Sequence, residues 1–571
     1  MKKYLIFLFL ALLATAFNAY SATLQVTNSN DAGWGSLRER IAFAPSGDTI
    51  IFAPNVNYIT LTSGQIEINK TLTINGGDDP SRKVTIDGNN NSRIFEIRDN
   101  INHGRIYLII NNLTLTNGRS INYGGAIYIP SRDPEFSATN CTFNNNSVTA
   151  TGVDAFAYGG AICSFSNLSD VTNCTFNNNS ATATGVSSLA HGGAVYIGRT
   201  GVSGNLTAIN CTFTKNSVTV TATSDNRDAS ASGGAAYVTG NASFTSGSAI
   251  IAYGCSFTEN TANAIGASAH AYSGGVHVAF GSLFAAYNYC VFSKNTSSTA
   301  NTSSVAWVEG GSTFSANDCT FAENENTAAN NFVVVVRDTG SRDFESMFLA
   351  NNCTFTKGGA VNVQTGCVFS ANGCTFTENK DTSMHGGGAV KVGSGAIFEA
   401  NNSIFSKNTH TTHGGAVGVY NAIYFLATNC TFNENTATSG GGAIYNVANI
   451  NISSNVYLYH CTFDGNQAPY GNAIGNTGTL YSYNCVYTGD IPQIVGNIMD
   501  GDNLIEGVNA IVTRNYVFGT NQFNGRYITP LPNARAAKKL DNTIQVPARM
   551  TADEILNKLA KDQIGNPRPI E

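Results

Sequence analysis

The stretch Gly124–Asn146 reads GGAIYIPSRDPEFSATNCTFNNN, and imperfect copies of it return along most of this 571-residue chain. Aligned on the Cys-Thr-Phe step, twelve units appear, at Cys141, Cys174, Cys211, Cys255, Cys290, Cys319, Cys353, Cys374, Ser403, Cys430, Cys461 and Cys485. Successive units lie 21 to 44 residues apart, and Asn112-Leu113-Thr114-Leu115 reads as a degenerate unit ahead of them. Such uneven spacing excludes a fixed-length helical repeat and suits a coil of short strands with insertable segments.

Polarity within a unit supplies the local geometry. Phe136 and Ala138 alternate with polar residues, as do Cys141 and Phe143, and the parity breaks between the two pairs at Asn140. A strand that slips parity by one residue bends there, because the side-chain period is two. The residue before the Cys or Ser is Asn, Gly, Asp or His in eleven of twelve units, all types that tolerate left-handed backbone angles. The exception, Tyr289, follows Asn288, as a one-residue slip would produce. The GGA segment adds a third strand. Ile127 and Ile129, Val195 and Ile197, Val390 and Val392, and Val417 and Val419 face inward, with Tyr128, Tyr196, Lys391 and Gly418 between them facing out. Paired glycines such as Gly124-Gly125 suit a sharp entry into that strand, where a side chain would clash.

Three short strands per unit, stacked about 4.8 Å apart, describe an all-β fold, a right-handed parallel β-helix of about 12 to 15 coils. Identical letters then become ladders. The repeat cysteines, Cys141 through Cys485, line an inward column beside Phe143 through Phe463, where a small apolar side chain fits a tight interior. Thirteen is an odd count, which favours buried thiols over a full disulfide framework. Two residues after the repeat Phe, Lys215, Glu259, Lys294, Glu323, Lys357, Glu378, Lys407 and Glu434 alternate in sign without an error. Stacked on one outer edge, they favour one register of coil on coil.

Composition narrows the classes of function. Charged residues make up 12% and the formal net charge is −6, so there is no basic footprint for nucleic acid. Residues 1–21, MKKYLIFLFLALLATAFNAYS, have the charged head, apolar run and small-residue cleavage site of a secretory signal peptide, with maturation before Ala22. No later stretch is long and apolar enough to span a bilayer as a helix. Residues 22–109 read as an N-terminal cap and first coils, with Leu37 and Ile41 on one face of a short helix. Residues 110–487 form the repeat domain, and 488–571 terminal coils and a C-terminal cap. Thr551–Glu554 there form a capping box before a short helix.

The alternation of GGA[ILV], in seven strict copies, with Phe-x-x-Asn, in ten, resembles the polymorphic outer membrane protein repeat of chlamydiae. More broadly the chain is similar to bacterial surface β-helices of the pectin-lyase-like class. The resemblance implies a secreted or surface-exposed protein of a Gram-negative-type bacterium, often an adhesin. Family members usually end in a membrane barrel of about a dozen strands. Only 86 residues follow Cys485 here, so self-translocation is not expected.

Three functions fit a β-helix of this kind. Polysaccharide lyases need clustered carboxylates for a cation and a basic residue nearby. The nearest pairs, Asp225 with Asp228, Asp343 with Glu345 and Asp500 with Asp502, all fall in insertions, and solvated loop charge is their simpler reading. His191, His385 and His413 precede glycine pairs and read as solvent-facing turn residues. No catalytic, cofactor-binding or metal-binding residue is nominated, and no cofactor is expected. A binding protein would use the outward position of the GGA strand, where Tyr128, Tyr196, Tyr237 and Tyr445 recur, to engage host or cell-surface glycans or proteins. A passive surface coat would instead display the insertions SVTATGVDAFAYGG and SVTVTATSDNRDASASGG as variable loops. The expected function is adhesin-like and non-enzymatic, with the lyase and the coat as alternatives.

Overall fold

A computed structural model describes residues 21–496 apart from 80–81, 100–104, 167–168, 200–202, 225–228, 241–246, 300–301, 327–331, 339–344, 450–452, 484 and 489–493. It also describes residues 518–523 and 528–530, together with Pro547 and Met550. The leader, the capping box at residues 551–554, Asp225, Asp228, Asp343, Asp500 and Asp502 lie outside the described residues.

The chain is a right-handed parallel β-helix. The Phe-x-Ala segments form a sixteen-stranded parallel sheet from Thr23–Val26 to Thr479–Tyr483. The Thr-Phe segments form a fifteen-stranded parallel sheet from Tyr58–Thr60 to Val486–Thr488. The GGA strands make the third face, from Ile66–Ile68 to Ile494–Gly496. Register is kept coil by coil, so that Phe143 lies opposite Phe176 and Phe176 opposite Phe213. Their rings stack at 4.7 Å, nearly parallel.

Among the described residues the corner between the first two faces is left-handed from Asn112 to His460. Asn140, Asn173, Asn210, Asn352, Asn402 and Asn429 have φ between 50° and 55°. The slip at Asn288-Tyr289 appears as two successive left-handed residues, with φ of 57° and 64°. All thirteen cysteines are buried free thiols. In the column, Cys174 Sγ accepts the Cys141 N–H at 3.4 Å and donates to the Thr172 carbonyl at 3.3 Å. Burial holds the Cys163, Cys461 and Cys485 thiols above the ordinary thiol range, so they are neutral core side chains.

The Asn of Phe-x-x-Asn also faces inward. Asn146, Asn179, Asn216, Asn260, Asn295 and Asn324 are buried and linked; from Asn179 on, each side-chain oxygen accepts from the Asn of the coil before it, and the Asn146 oxygen accepts the Gly118 N–H. Gly358 takes the place of the next one, and the ladder resumes from Asn379 through Asn466. These amides satisfy backbone groups at a corner that closes on the core, which is why a polar residue recurs there.

The alternating charges sit at the left-handed corner that follows. Lys215, Glu259, Lys294, Glu323, Lys357, Glu378, Lys407 and Glu434 all have φ between 51° and 57°. Lys215 with Glu259, Lys294 with Glu323 and Lys407 with Glu434 approach to 3.7–3.8 Å, half-exposed. Glu323→Lys would place three cations in succession. We expect it to lower stability by at most about 1 kcal/mol, with the loss fading as salt is added. Chemical denaturation at low and high ionic strength checks this.

The helix Leu37–Phe43 buries Leu37 and Ile41. Ser36 Oγ accepts the Glu39 N–H and the Glu39 carboxylate accepts the Gly35 N–H, a reciprocal cap.

The long insertions depart from the expectation of displayed loops. Ser147–Thr151, Ser180–Gly185, Ser217–Ala222 and Thr261–Ile265 pair in parallel, one coil to the next. The chain then returns through Phe156–Tyr158, Leu189–His191, Ala229–Ser232 and Ala269–Ser273, which pair likewise. Between the two layers lies a second core of Val148, Ala150, Ala157, Ala181, Ala183, Ala190, Val218, Val220, Ala231 and Ala271. Alternation of Ala and Val with Ser and Thr is a strand pattern, and the small inward side chains let two thin sheets close on each other. The insertions therefore make a side lobe built against the GGA face.

Candidate functional site

The outward position of the GGA strand forms one continuous column. In coil order it is Glu67, Glu96, Tyr128, Cys163, Tyr196, Tyr237, His277, Trp307, Val335, Asn362, Lys391, Gly418, Tyr445 and Gly475. All four nominated tyrosines belong to it. Only Tyr196 and Tyr237 are neighbours, with rings 5.3 Å apart and parallel.

Facing out of the helix does not leave all four tyrosines in solvent. Tyr196 and Tyr237 are only 7% and 5% exposed, because the returning strands of the side lobe cover them. Tyr158 stacks on Tyr196 at 4.7 Å and His191 on Tyr237 at 4.3 Å. His191 is thus a buried ring, not the solvent-facing turn residue expected, and burial pushes its pKa down to about 3. The same burial raises the Tyr196 and Tyr237 phenols well above their usual range. Tyr128 and Tyr445 are half-buried and present ring surface to solvent. Half-buried Tyr123 stacks on Tyr128 at 5.1 Å, and Phe165 meets both rings edge-on. Tyr445 stacks on His413 at 4.2 Å. His385, exposed, lies beside Tyr420 one coil earlier, so the three histidines do not gather.

The column also carries charge that the sequence reading missed. Beneath Tyr128, Arg93 lies 4.9 Å from the ring centroid, donates to Glu96 at 3.0 Å and to Gln65 at 2.7 Å, and caps the Tyr123 carbonyl. Arg98 holds the other Glu96 oxygen at 2.8 Å. Burial penalises the Glu96 charge, but bonds from Arg98 and Gln65 outweigh it and keep the carboxyl below its usual range. Midway along, His277 Nε2 lies 3.2 Å from Glu309, and Trp307 Nε1 donates to the second Glu309 oxygen at 2.9 Å. Burial alone raises the Glu309 pKa, but the bonds from His277 and Trp307 outweigh it and hold the carboxyl below its usual range. The signal was readable: Gly274-Gly275-Val276-His277-Val278 follows the GGA pattern and places His277 in the tyrosine column, as Gly159–Cys163 places Cys163. Trp307 lacks a preceding glycine pair and gave no such cue.

A separate buried group lies where the next glycine run enters. Asp381 accepts from Ser383 Oγ at 2.5 Å and lies 3.5 Å from His410 Nε2. His410 Nδ1 accepts the His413 N–H at 2.9 Å, which leaves the ring proton on the nitrogen facing Asp381. All three side chains are sealed from solvent, a link between coils.

No curated protein sequence matches the chain. Among solved structures, bacteriophage CBA120 tailspike protein 3 aligns over 81% of this chain and 57% of its own, at 9% identity and a TM-score of 0.24. This chain thus spans little more than half the length of that tailspike. The PL6 family alginate lyase AlyGC aligns over 84% of this chain and 100% of its own, at 10% identity and a TM-score of 0.20. A family model matches at residues 429–447, one Cys-Thr-Phe step and the GGA strand after it. The chain is a parallel β-helix in which one segment, residues 429–447, matches the Chlamydia polymorphic membrane protein repeat.

Proposed function

We propose that this is an exported cell-surface protein that binds glycans or proteins of a host or neighbouring cell, an adhesin-like role served by the outward column of the GGA face. The repeat supports a surface setting. The observation that carries the reading is the half-buried aromatic ground at Tyr128, with Tyr123 and Phe165 against it. Rigid rings on a flat sheet give contact area at little entropic cost, and phenol oxygens at their rims add direction.

Tyr196 and Tyr237 lie buried under the side lobe, so the test belongs to Tyr128 and Tyr445. Tyr128→Ser with Tyr445→Ser is expected to cut binding to host cells or an immobilised glycan panel about tenfold or more, without moving the thermal midpoint by more than a few degrees. Undiminished binding by the double variant defeats the assignment. Protease shaving of intact cells tests the location, and a protein resistant until the cells are lysed would contradict it.

A further inference from the structure

We infer a second, independent binding site on the corner between the Phe-x-Ala and Thr-Phe faces, an uncharged tyrosine platform centred on Tyr289 that takes neutral glycans. It lies on a different face from the GGA column and does not rest on that assignment.

The first observation is a backbone outlier. At this corner the chain uses Asn112, Asn140, Asn173, Asn210, Gly254, Asp318, Asn352, Gly373, Asn402, Asn429 and His460, all at positive φ. Among these described corners, Asn112 to His460, one coil inserts a residue, and the insert is a tyrosine held at φ 64°. A bulky aromatic in that region is strained, and Asn288 before it already provides the left-handed turn. Packing does not account for it either, since Tyr289 is 79% exposed. A strained, projecting ring that serves no core contact points to recognition.

The second observation is what stands beside it. Tyr253 and Tyr287 occupy the last outward positions of successive strands, in register and 5.4 Å apart. Ile209 continues that column one coil earlier, 38% exposed, and Val291 opens the next strand, 36% exposed. Among the described residues, none of the three phenol oxygens has a hydrogen-bond partner within the chain.

The third is the lack of positive charge. On these coils the other outward positions include Asn205, Thr207, Ala249, Ile251, Leu283, Ala285, Ser256, Thr258 and Ser293. The side chains that flank the tyrosines are acidic, Asp318 on the following corner and exposed Asp170 in register with Thr207, and the Lys/Glu ladder runs along the other end of the Thr-Phe strands. An acidic polysaccharide or nucleic acid would call for lysine or arginine here. A neutral sugar presents an apolar C–H face and a rim of hydroxyls, which match an aromatic face and free phenols.

The variant Tyr289→Asn separates recognition from architecture, because it installs the residue that the other corners use. The mature protein is run through native gels cast with a neutral β-glucan, mannan or xylan, and through gels with alginate or polygalacturonate. At least one neutral polymer is expected to retard the protein, the acidic ones not. Tyr289→Asn should weaken that retardation tenfold or more while the thermal midpoint holds or rises, and Tyr287→Ser should weaken it too. Retardation by none of the neutral polymers, retardation unchanged in Tyr289→Asn, or a lowered midpoint in that variant each overturns the assignment. Failure here leaves the Tyr128 and Tyr445 test standing, since those variants lie on another face.

Discussion

Replacing Asn216 with alanine is expected to destabilise the coils around it by about 4 kcal/mol, as much as deleting a large core side chain. Its side-chain oxygen accepts the Asn179 backbone N–H at 3.0 Å and the Asn179 amide at 2.9 Å. Its own amide donates to the Phe176 carbonyl and to Asn260, both at 3.0 Å. Alanine leaves the Asn179 N–H and the Phe176 carbonyl sealed in the core without partners, and each such group costs about 1–3 kcal/mol. Water does not enter to compensate, because the residue is fully buried. Guanidinium unfolding followed by circular dichroism gives the total, and hydrogen exchange at neighbouring coils shows whether the loss is local, as nearest-neighbour coupling in a solenoid requires. A loss under about 1 kcal/mol would mean that the ladder is ornamental.

Gly193→Ala should be nearly as costly, about 3 kcal/mol or more, for a steric reason. A methyl group on Gly193 would lie 2.1 Å from the Gly234 carbonyl oxygen and 2.6 Å from the Ser217 backbone nitrogen. Both are main-chain atoms, one of the adjacent coil and one at the base of the side lobe, so no rotamer change relieves the contact. Gly193 also donates to the Gly233 carbonyl at 3.0 Å, a bond that the displaced backbone would lose. The same close approach holds at Gly125, Gly160, Gly415 and Gly442. The second glycine of each pair is therefore where three backbones meet. The expected readout is a fall in the unfolding midpoint. Unaltered stability would show that the coils have slack there.

These two positions also explain why so much of the fold was legible. Phe143, Cys141 and Asn146 repeat because each meets its own copy one coil away, so sequence periodicity and spatial contact report the same fact. The left-handed corners were readable because few residue types tolerate them, down to the slip at Asn288-Tyr289. The side lobe was harder. Val148 and Ala150, or Val218 and Val220, alternate like any strand, but their partners Ala157 and Ala231 arrive only after a turn of variable length.

The sequence by itself determined the parallel β-helix, its corners, its inward ladders and the direction in which each GGA residue points, because those depend on a period-two strand and on like stacking on like. Only the tertiary structure decided which outward residues meet solvent. Tyr128, Tyr196, Tyr237 and Tyr445 hold one position in the repeat, yet Tyr196 and Tyr237 are buried while Tyr128 and Tyr445 are not. What covers Tyr237 is His191, brought over it by the return strand of a neighbouring insertion. Exposure is a property of everything packed against a residue, and a local pattern carries no record of it.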